Sequence, residues 1–277
     1  MARSPQTVAD HYRGRALGDV ILSALQAAGK DLDHLTPDDL APIDEFHNGQ
    51  RNATMRLARL AAVSASDKVL DVGCGIGGPA RYLASAVGCD VIGLDLTPEF
   101  IELARMLTVR TGLTHKVSYR QGDALALPFS DASFDLVWSQ NAAMNIADRA
   151  RLYGEMRRVL KAGGRVAIQE IGAGPGGEPF YPTPWASDES MSFLFTPQAT
   201  RATMERMGLR VVAWHEATQE ALEQAVNRAQ ALEMGSLPPL GLHILMGPEF
   251  PVISRNMLRN LQEQRLTLLN VILAADA

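Results

Sequence analysis

The stretch Val69-Leu70-Asp71-Val72-Gly73-Cys74-Gly75-Ile76-Gly77-Gly78-Pro79-Ala80 constrains this chain more than any other. A short apolar run carries an acid, Asp71, then meets four glycines within six residues before Pro79 opens a helix. Glycine has no Cβ and tolerates positive φ, so such a turn bends sharply and lets its backbone approach a bound molecule. Proline suits the first helical turn, where its missing N–H has no partner to lose. A strand, glycine turn and helix in this order place a small polar ligand at the carboxyl end of the first strand of an α/β sheet.

The residues that follow repeat the pattern. Further strands are predicted at Asp90–Leu94, Val117–Arg120, Phe134–Trp138 and Arg165–Ile171. Between them lie a helix over about Pro79–Val87 and a second with Thr97 as N-cap, whose apolar face is Phe100, Leu103, Ala104 and Leu107. A third covers about Ala147–Leu160 and is closed by Gly163-Gly164. Alternation of this kind means a mostly parallel sheet with helices on both faces. Residues 172–187 are rich in Gly and Pro and read as a long loop of the lid or binding type. A helix at Pro197–Met207 and a strand at Leu209–Trp214 come next. Two more helices are marked by Leu222, Ala225, Val226 and Ala229 and by Ile253, Met257 and Leu261, before a last strand at Leu266–Ala274. The first 65 residues are predicted to be helical.

Composition narrows the function classes. A net charge of −5 over 277 residues offers no general attraction for nucleic acid or an anionic membrane. No apolar run reaches spanning length and the first residues lack the apolar core of a signal peptide, so a cytoplasmic location is expected. Two cysteines, Cys74 and Cys89, with scattered histidines, predict neither a disulfide framework nor a metal site.

Gly73-x-Gly75-x-x-Gly78 satisfies a nucleotide-binding pattern, and Asp95, twenty residues beyond Gly75, suits ribose hydroxyls. The pattern alone admits NAD, FAD or S-adenosylmethionine. Asp71 weighs against the dinucleotides, because a carboxylate at a buried strand end would repel a pyrophosphate. It suits a cofactor bearing an ammonium and a sulfonium and no phosphate. Asp123, directly after Gly122 at the end of strand three, can accept from an adenine amino group or can form a turn.

With these acids and Phe134-Asp135-Leu136-Val137 in order, the chain resembles the class I S-adenosylmethionine-dependent methyltransferases over residues 45–171, and more loosely over 196–275. Leu160-Lys161-Ala162-Gly163-Gly164 stands where the family has Leu-Lys-Pro-Gly-Gly, with Ala162 replacing the proline. The glycine turn with its helix, and Asp44–Thr54 upstream, are similar to the small-molecule group that includes tocopherol and sterol C-methyltransferases and glycine/sarcosine N-methyltransferases. The resemblance implies a Rossmann-like seven-stranded sheet, mostly parallel with its last strand antiparallel. It also implies a helical N-terminal lid (1–65) and a methyltransferase core (66–275) with cap segments at about 172–196 and 216–250. A small-molecule methyl acceptor follows, and a homodimer is compatible with it.

The same resemblance distributes roles. Gly73, Cys74, Gly75 and Gly77 are expected against the methionine part of the cofactor, with Gln50 closing over it, Asp95 at the ribose, and Leu96, Asp123 and Ala124 around the adenine. Ser139 is expected beside the cofactor. Asn141, Asn145 and Tyr12 are substrate-side candidates, with loop capping as the other reading of the two asparagines. His47 and Glu170 are the candidate bases, Glu170 being equally an amine ligand or a solvated acid. Apolar residues at 191–195 and 237–246 suit either a pocket for an apolar acceptor or the core of the cap. An NAD-dependent oxidoreductase and a non-catalytic cofactor-binding protein stay open at this point.

Overall fold

A seven-stranded sheet organises residues 17–275, the part of the chain that the computed structural model describes. Its strands are β1 (Lys68–Val72), β2 (Asp90–Asp95), β3 (Val117–Gln121), β4 (Phe134–Gln140), β5 (Leu160–Ala173), β6 (Leu209–Glu216) and β7 (Leu266–Ala275), in the order β3-β2-β1-β4-β5-β7-β6. The β1–β2, β1–β4, β2–β3 and β4–β5 pairs are parallel. β7 runs antiparallel to both β5 and β6, as the resemblance implied for the last strand. The order reverses direction at β1, between β2 and β4, and this topological switch point is where open α/β sheets bind ligands.

Period-two alternation sends the strands' side chains to two cores. Leu70, Val72, Val137, Val166, Ile168 and Val271 face α6 (Arg149–Val159) and α7 (Pro197–Arg206). Val69, Leu136, Trp138, Ala167 and Ile272 face α3 (Gln50–Leu60), α4 (Gly78–Tyr82) and α5 (Pro98–Arg110). Ahead of the sheet, α1 (Leu17–Ala27) and α2 (Pro37–Asp44) pack Ile21, Leu25, Leu40 and Ile43 against Phe100, Leu103 and Leu107 of α5. Between β6 and β7 come α8 (Thr218–Glu233), α9 (Leu242–Met246) and α10 (Phe250–Gln262). Ala221, Ala225, Met257 and Leu261 of this group enclose Trp185 and Met191 from the loop after β5.

Several local expectations need correction. The helix after the glycine turn is α4 followed by a wider π turn over Leu83–Val87, ended by Gly88 at φ 91°. Thr97 occupies the N-cap position of α5 but does not cap with its side chain; its N–H instead donates to Asp95 Oδ1 at 3.0 Å. Gly163-Gly164 lies inside β5 rather than closing a helix: α6 stops at Val159, and Gly163 bends the strand at φ 73°.

Two fully buried arginines fix the layers around the sheet. Arg81 of α4 donates to Asp44 Oδ2 (2.8 Å), the Ile76 carbonyl (2.7 Å) and Tyr119 Oη (3.3 Å), so it joins the end of α2 to the glycine turn and β3. Arg149 of α6 donates to Glu170 Oε2 at 2.9 Å, and the same oxygen accepts from Tyr153 Oη at 2.9 Å. Removing one partner of a buried pair strands the other charge in a low-dielectric interior. Arg149→Ala should therefore lower unfolding free energy by about 3–5 kcal/mol. Urea denaturation reads this directly, and a loss typical of an exposed salt bridge would contradict the account.

Candidate functional site

The carboxyl ends of β1, β2 and β4 open into a cavity of about 390 Å³. The glycine turn forms one wall. Gly73 (φ 77°) and Gly75 (φ 52°) both adopt backbone conformations that favour glycine, for different reasons. A Cβ on Gly73 would stand 2.4 Å from Ala142 Cβ, so this glycine lets the turn pass under the loop after β4. A Cβ on Gly75 would meet nothing within 4 Å, and this glycine leaves open space on the cavity side. Cys74 also lines the cavity, and burial pushes its thiol well above its ordinary range.

Aspartates dominate the charge of the lining. Asp44, Asp71, Asp95, Asp123 and Asp148 all border the cavity, and no Lys or Arg is among the described residues that do. Asp71 is 1% exposed and its Oδ2 has no hydrogen-bond partner among the described residues. Burial, then the neighbouring Asp95 and Glu45 charges, push its carboxyl up to about 8. Asp95 accepts from the Gly75 N–H (2.9 Å) and the Thr97 N–H, yet burial outweighs these bonds and its carboxyl is also raised. Asp44 behaves likewise, with burial outweighing Arg81, and its Oδ1 is a second unpartnered oxygen. Asp123 Oδ1 accepts from the Leu125 N–H at 2.8 Å, so the turn reading of this residue holds while it also lines the cavity, beside Leu96 and Ala124.

The segment after α2 closes the opposite wall through a buried polar network. Thr54 Oγ1 lies 2.5 Å from Glu45 Oε2, 3.0 Å from His47 Nε2 and 3.2 Å from Gln140 Oε1. Gln140 Oε1 also accepts from Trp138 Nε1, and Gln140 Nε2 donates to Gln169 Oε1. Gln169 in turn donates to the Asn48 carbonyl. Burial raises Glu45, but hydrogen bonds from His47 and Thr54 and the charge of Arg51 outweigh it and hold its carboxyl low. His47 borders the cavity, and its Nε2 faces the Gln50 carbonyl at 3.0 Å and Glu45 Oε2 at 3.4 Å. The Gln50 carbonyl and the Glu45 carboxylate accept only, and the Thr54 hydroxyl donates to Glu45, so the neutral imidazole tautomer that fits carries its proton on Nε2 and its lone pair on Nδ1.

The remaining wall is built from the end of β5 and the loops after β4 and β5. Met144, Ile146, Ile171, Trp185 and Phe193 give it an apolar surface. Asn141 stands on it at φ 49°, its N–H donating to the Gln169 carbonyl (2.8 Å) and its Oδ1 buried without a partner among the described residues. Asn145 donates through Nδ2 to the carbonyls of Trp185 (2.8 Å) and Met191 (3.1 Å), which anchors the loop after β5 over the cavity.

Four expected site residues are placed elsewhere. Ser139 Oγ donates to the Val72 carbonyl at 2.8 Å, clasping β4 to β1 outside the cavity lining. Glu170 points to the opposite face of β5 from Gln169 and is held by Arg149 and Tyr153, so it is neither a base in the cavity nor solvated. Gln50 donates to the Pro42 carbonyl and borders a different cavity. Gly77 does not line the site; a Cβ there would stand 2.2 Å from Tyr119 Oη, so its glycine serves the packing around Arg81. Tyr12 lies outside the described residues. Sequence reasoning missed Asp44, Glu45, Gln140, Trp185 and Phe193. The Asp44-Glu45 pair at the end of a helix was the available signal.

Residues 70–168 match the family described as "Methyltransferase domain". Over 133 residues the chain is 40% identical to the methyltransferase GfsG of Streptomyces halstedii, covering 48% of each protein. Over 150 residues it is 37% identical to a chloroplastic tocopherol O-methyltransferase of Arabidopsis thaliana, covering 50% of this chain and 43% of that one. The chain thus spans less than half the length of these curated relatives. Among solved structures, geranyl diphosphate C-methyltransferase from Streptomyces coelicolor A3(2), in complex with S-adenosyl-L-homocysteine, superposes with a TM-score of 0.72 at 16% identity, covering 100% of both chains. The [4+2]-cyclase SpnF superposes with a TM-score of 0.71 at 20% identity, covering 100% of this chain and 98% of that one. The shared fold therefore hosts more than one reaction, and the site has to decide among them. Residues 70–168, from β1 into β5, are thus similar to methyltransferase domains, and the seven-stranded order is the fold of these solved neighbours.

Proposed function

We propose that this protein transfers a methyl group from S-adenosylmethionine to a small, uncharged and largely apolar acceptor. The observation that carries the reading is the charge of the cavity, with aspartates on its walls, an unpartnered Asp71 oxygen at the glycine turn and no lysine or arginine among the described lining residues. An arriving ammonium and sulfonium stabilise these carboxyls in their charged form, whereas a pyrophosphate finds no lysine or arginine on the described walls to hold it, which disfavours NAD. Phosphorylated or carboxylated acceptors are disfavoured for the same reason.

In this reading Asp71 takes the amino group of the cofactor. The Gly73–Gly75 backbone with Cys74 packs along its methionine part, Asp95 holds the ribose hydroxyls, and Leu96, Asp123 and Ala124 border the adenine. The bound cofactor supplies an electrophilic methyl on sulfur. The chain's own residues align the acceptor and exclude water, Trp185 and Phe193 by covering the apolar wall and Asn145 by holding their loop down. Asn141 Oδ1 accepts from an acceptor hydroxyl or amine, and His47 Nδ1 takes the proton released when the nucleophile reacts. Residues 1–65 act as the lid, 66–275 as the core, and 172–196 and 216–250 as the cap. A cytoplasmic setting goes with free, buried Cys74 and Cys89.

The raised Asp71 carboxyl gives a test with a definite sign. In the folded protein it holds its proton up to about pH 8, against about 4 in an unfolded chain. The group's contribution is therefore fully present at acid pH and is lost as the pH rises from about 4 to about 8. Asp71→Asn should raise the melting temperature of the ligand-free protein at pH 8 and leave it nearly unchanged at pH 4. The same variant should weaken S-adenosylmethionine binding at least about tenfold, roughly 1.4 kcal/mol, in calorimetric titration. Equal binding by both proteins would remove Asp71 from the site.

His47→Ala should lower turnover by about 10²-fold or more with little change in cofactor affinity. For the acceptor, the same assay across phenols, quinols and isoprenoid alcohols, each beside an analogue that keeps the free hydroxyl and carries a carboxylate or phosphate elsewhere, should show methylation of the neutral members and none of the anionic analogues. Methylation of the anionic analogues alone would overturn the uncharged-acceptor reading. Cofactor binding without methylation of any member would leave a binding protein as the better description.

A further inference from the structure

A second cavity, about 420 Å³, lies against the outer side of the segment that closes the first. His47 and Asn48 line one cavity, and Gly49 and Gln50 line the other. Their charges are opposite. The second cavity is bordered by Arg51, Arg228 and His243, with no Asp or Glu among its described lining residues. In a chain of net charge −5 this is a local inversion.

The geometry around Arg228 accounts for the inversion. Glu220, Gln224 and Arg228 are spaced four residues apart on α8 and so share one face of that helix. Glu220 pairs with Arg56 of α3. Gln224 lies over Gly49, where a built Cβ would come 3.5 Å from its Nε2. Arg228 falls one turn beyond, at the N-terminal end of α3. Arg51 is already satisfied by Glu45, Asp38 Oδ1 and the Pro37 carbonyl. Arg228 is partly buried and has no ion-pair or hydrogen-bond partner among the described residues. Gly49, the N-cap of α3, supplies no side-chain cap, so the Arg51 and Asn52 amides of the first turn have no carbonyl partner within the helix. A guanidinium and the positive end of a helix dipole thus meet in one cavity with no compensating acid on its walls. Burying a cation in this way is costly unless an anion joins it.

We propose that this second cavity binds an amphiphilic anion, a phosphate or carboxylate head carried on an apolar body. The head sits between Arg228 and the start of α3, within reach of Asn52. The body lies along Leu237, Pro238, Leu240, Leu242 and Phe250, which form the rest of the wall. Because Gly49 and Gln50 belong to this cavity and His47 and Asn48 to the other, the anion ties α8 and the 237–250 segment to the wall of the proposed methyl-transfer site.

The test uses the full chain without cofactor, so its outcome is independent of the methyl-transfer proposal. Hexyl phosphate, hexanoate and inorganic phosphate are titrated by calorimetry. Saturable binding of at least one of the two amphiphiles is expected, at least about tenfold tighter than inorganic phosphate. The hexyl phosphate and hexanoate arms tell which head group is preferred. Arg228→Gln should weaken that binding at least about tenfold, and Arg228→Lys, which keeps the charge without the planar fork, should recover part of it. Absence of saturable binding for all three probes, or equal affinity in Arg228→Gln, would overturn the site. Inorganic phosphate bound as tightly as the amphiphiles would overturn the amphiphilic occupant.

Discussion

Asp71 is buried at the carboxyl end of β1 with one oxygen unpartnered, and Asp95 and Glu45 add negative charge around it. Taking a carboxylate out of water without a partner is costly, and here the cost appears as a carboxyl raised to about 8. A sequence selected only for stability would place an apolar residue in such a strand position. The surrounding architecture is arranged to hold the acid in place. β1 is hydrogen-bonded on both sides, Ser139 clasps Val72, and Asp95 pins the glycine turn through the Gly75 amide. Local instability held by rigid neighbours is a common mark of a binding site.

Arg81 ties the end of α2 to the glycine turn. Its guanidinium reaches Asp44 at the end of α2 and the Ile76 carbonyl inside the turn. Gly78 lies so close to Asp44 that a Cβ would stand 2.3 Å from the Asp44 carbonyl oxygen. Only beyond this contact does the chain enter the Glu45–His47–Thr54–Gln140 network, so the wall bearing His47 is positioned by packing around a buried cation. The two cavities then divide the charge. Acids face the proposed cofactor side of the 47–50 segment, and cations face the other side.

Much of this was legible in the sequence because it rests on local rules. Every strand of the sheet was foreseen, since short apolar runs alternate with helical segments. Asp71, Gly75, Asp95, Asp123 and Asn141 were foreseen to gather because the carboxyl ends of parallel strands share an edge. What was not legible depended on side-chain direction and long-range packing. Glu170 and Gln169 are neighbours on β5, and a single step of register decides that Gln169 joins the network and Glu170 pairs with Arg149. Gly77 looked like part of a ligand turn because nothing in its own segment reveals Tyr119, forty-two positions away, pressing against it. For Asn145, substrate contact and loop capping were both open in the sequence; it borders the cavity, and the loop it anchors returns only at Trp185 and Met191, beyond the reach of local rules.

The central claim is that Asp71 is held ready for a cation. Carbon-13 labelling of aspartate, with Asp71 assigned by comparison with Asp71→Asn, allows its carboxyl to be titrated by NMR in the free protein and with S-adenosylmethionine bound. The account predicts a midpoint near 8 without ligand, falling by several pH units when the cofactor's ammonium arrives. A midpoint near that of an ordinary aspartate in the free protein, or one that does not move on saturation with the cofactor, would contradict it.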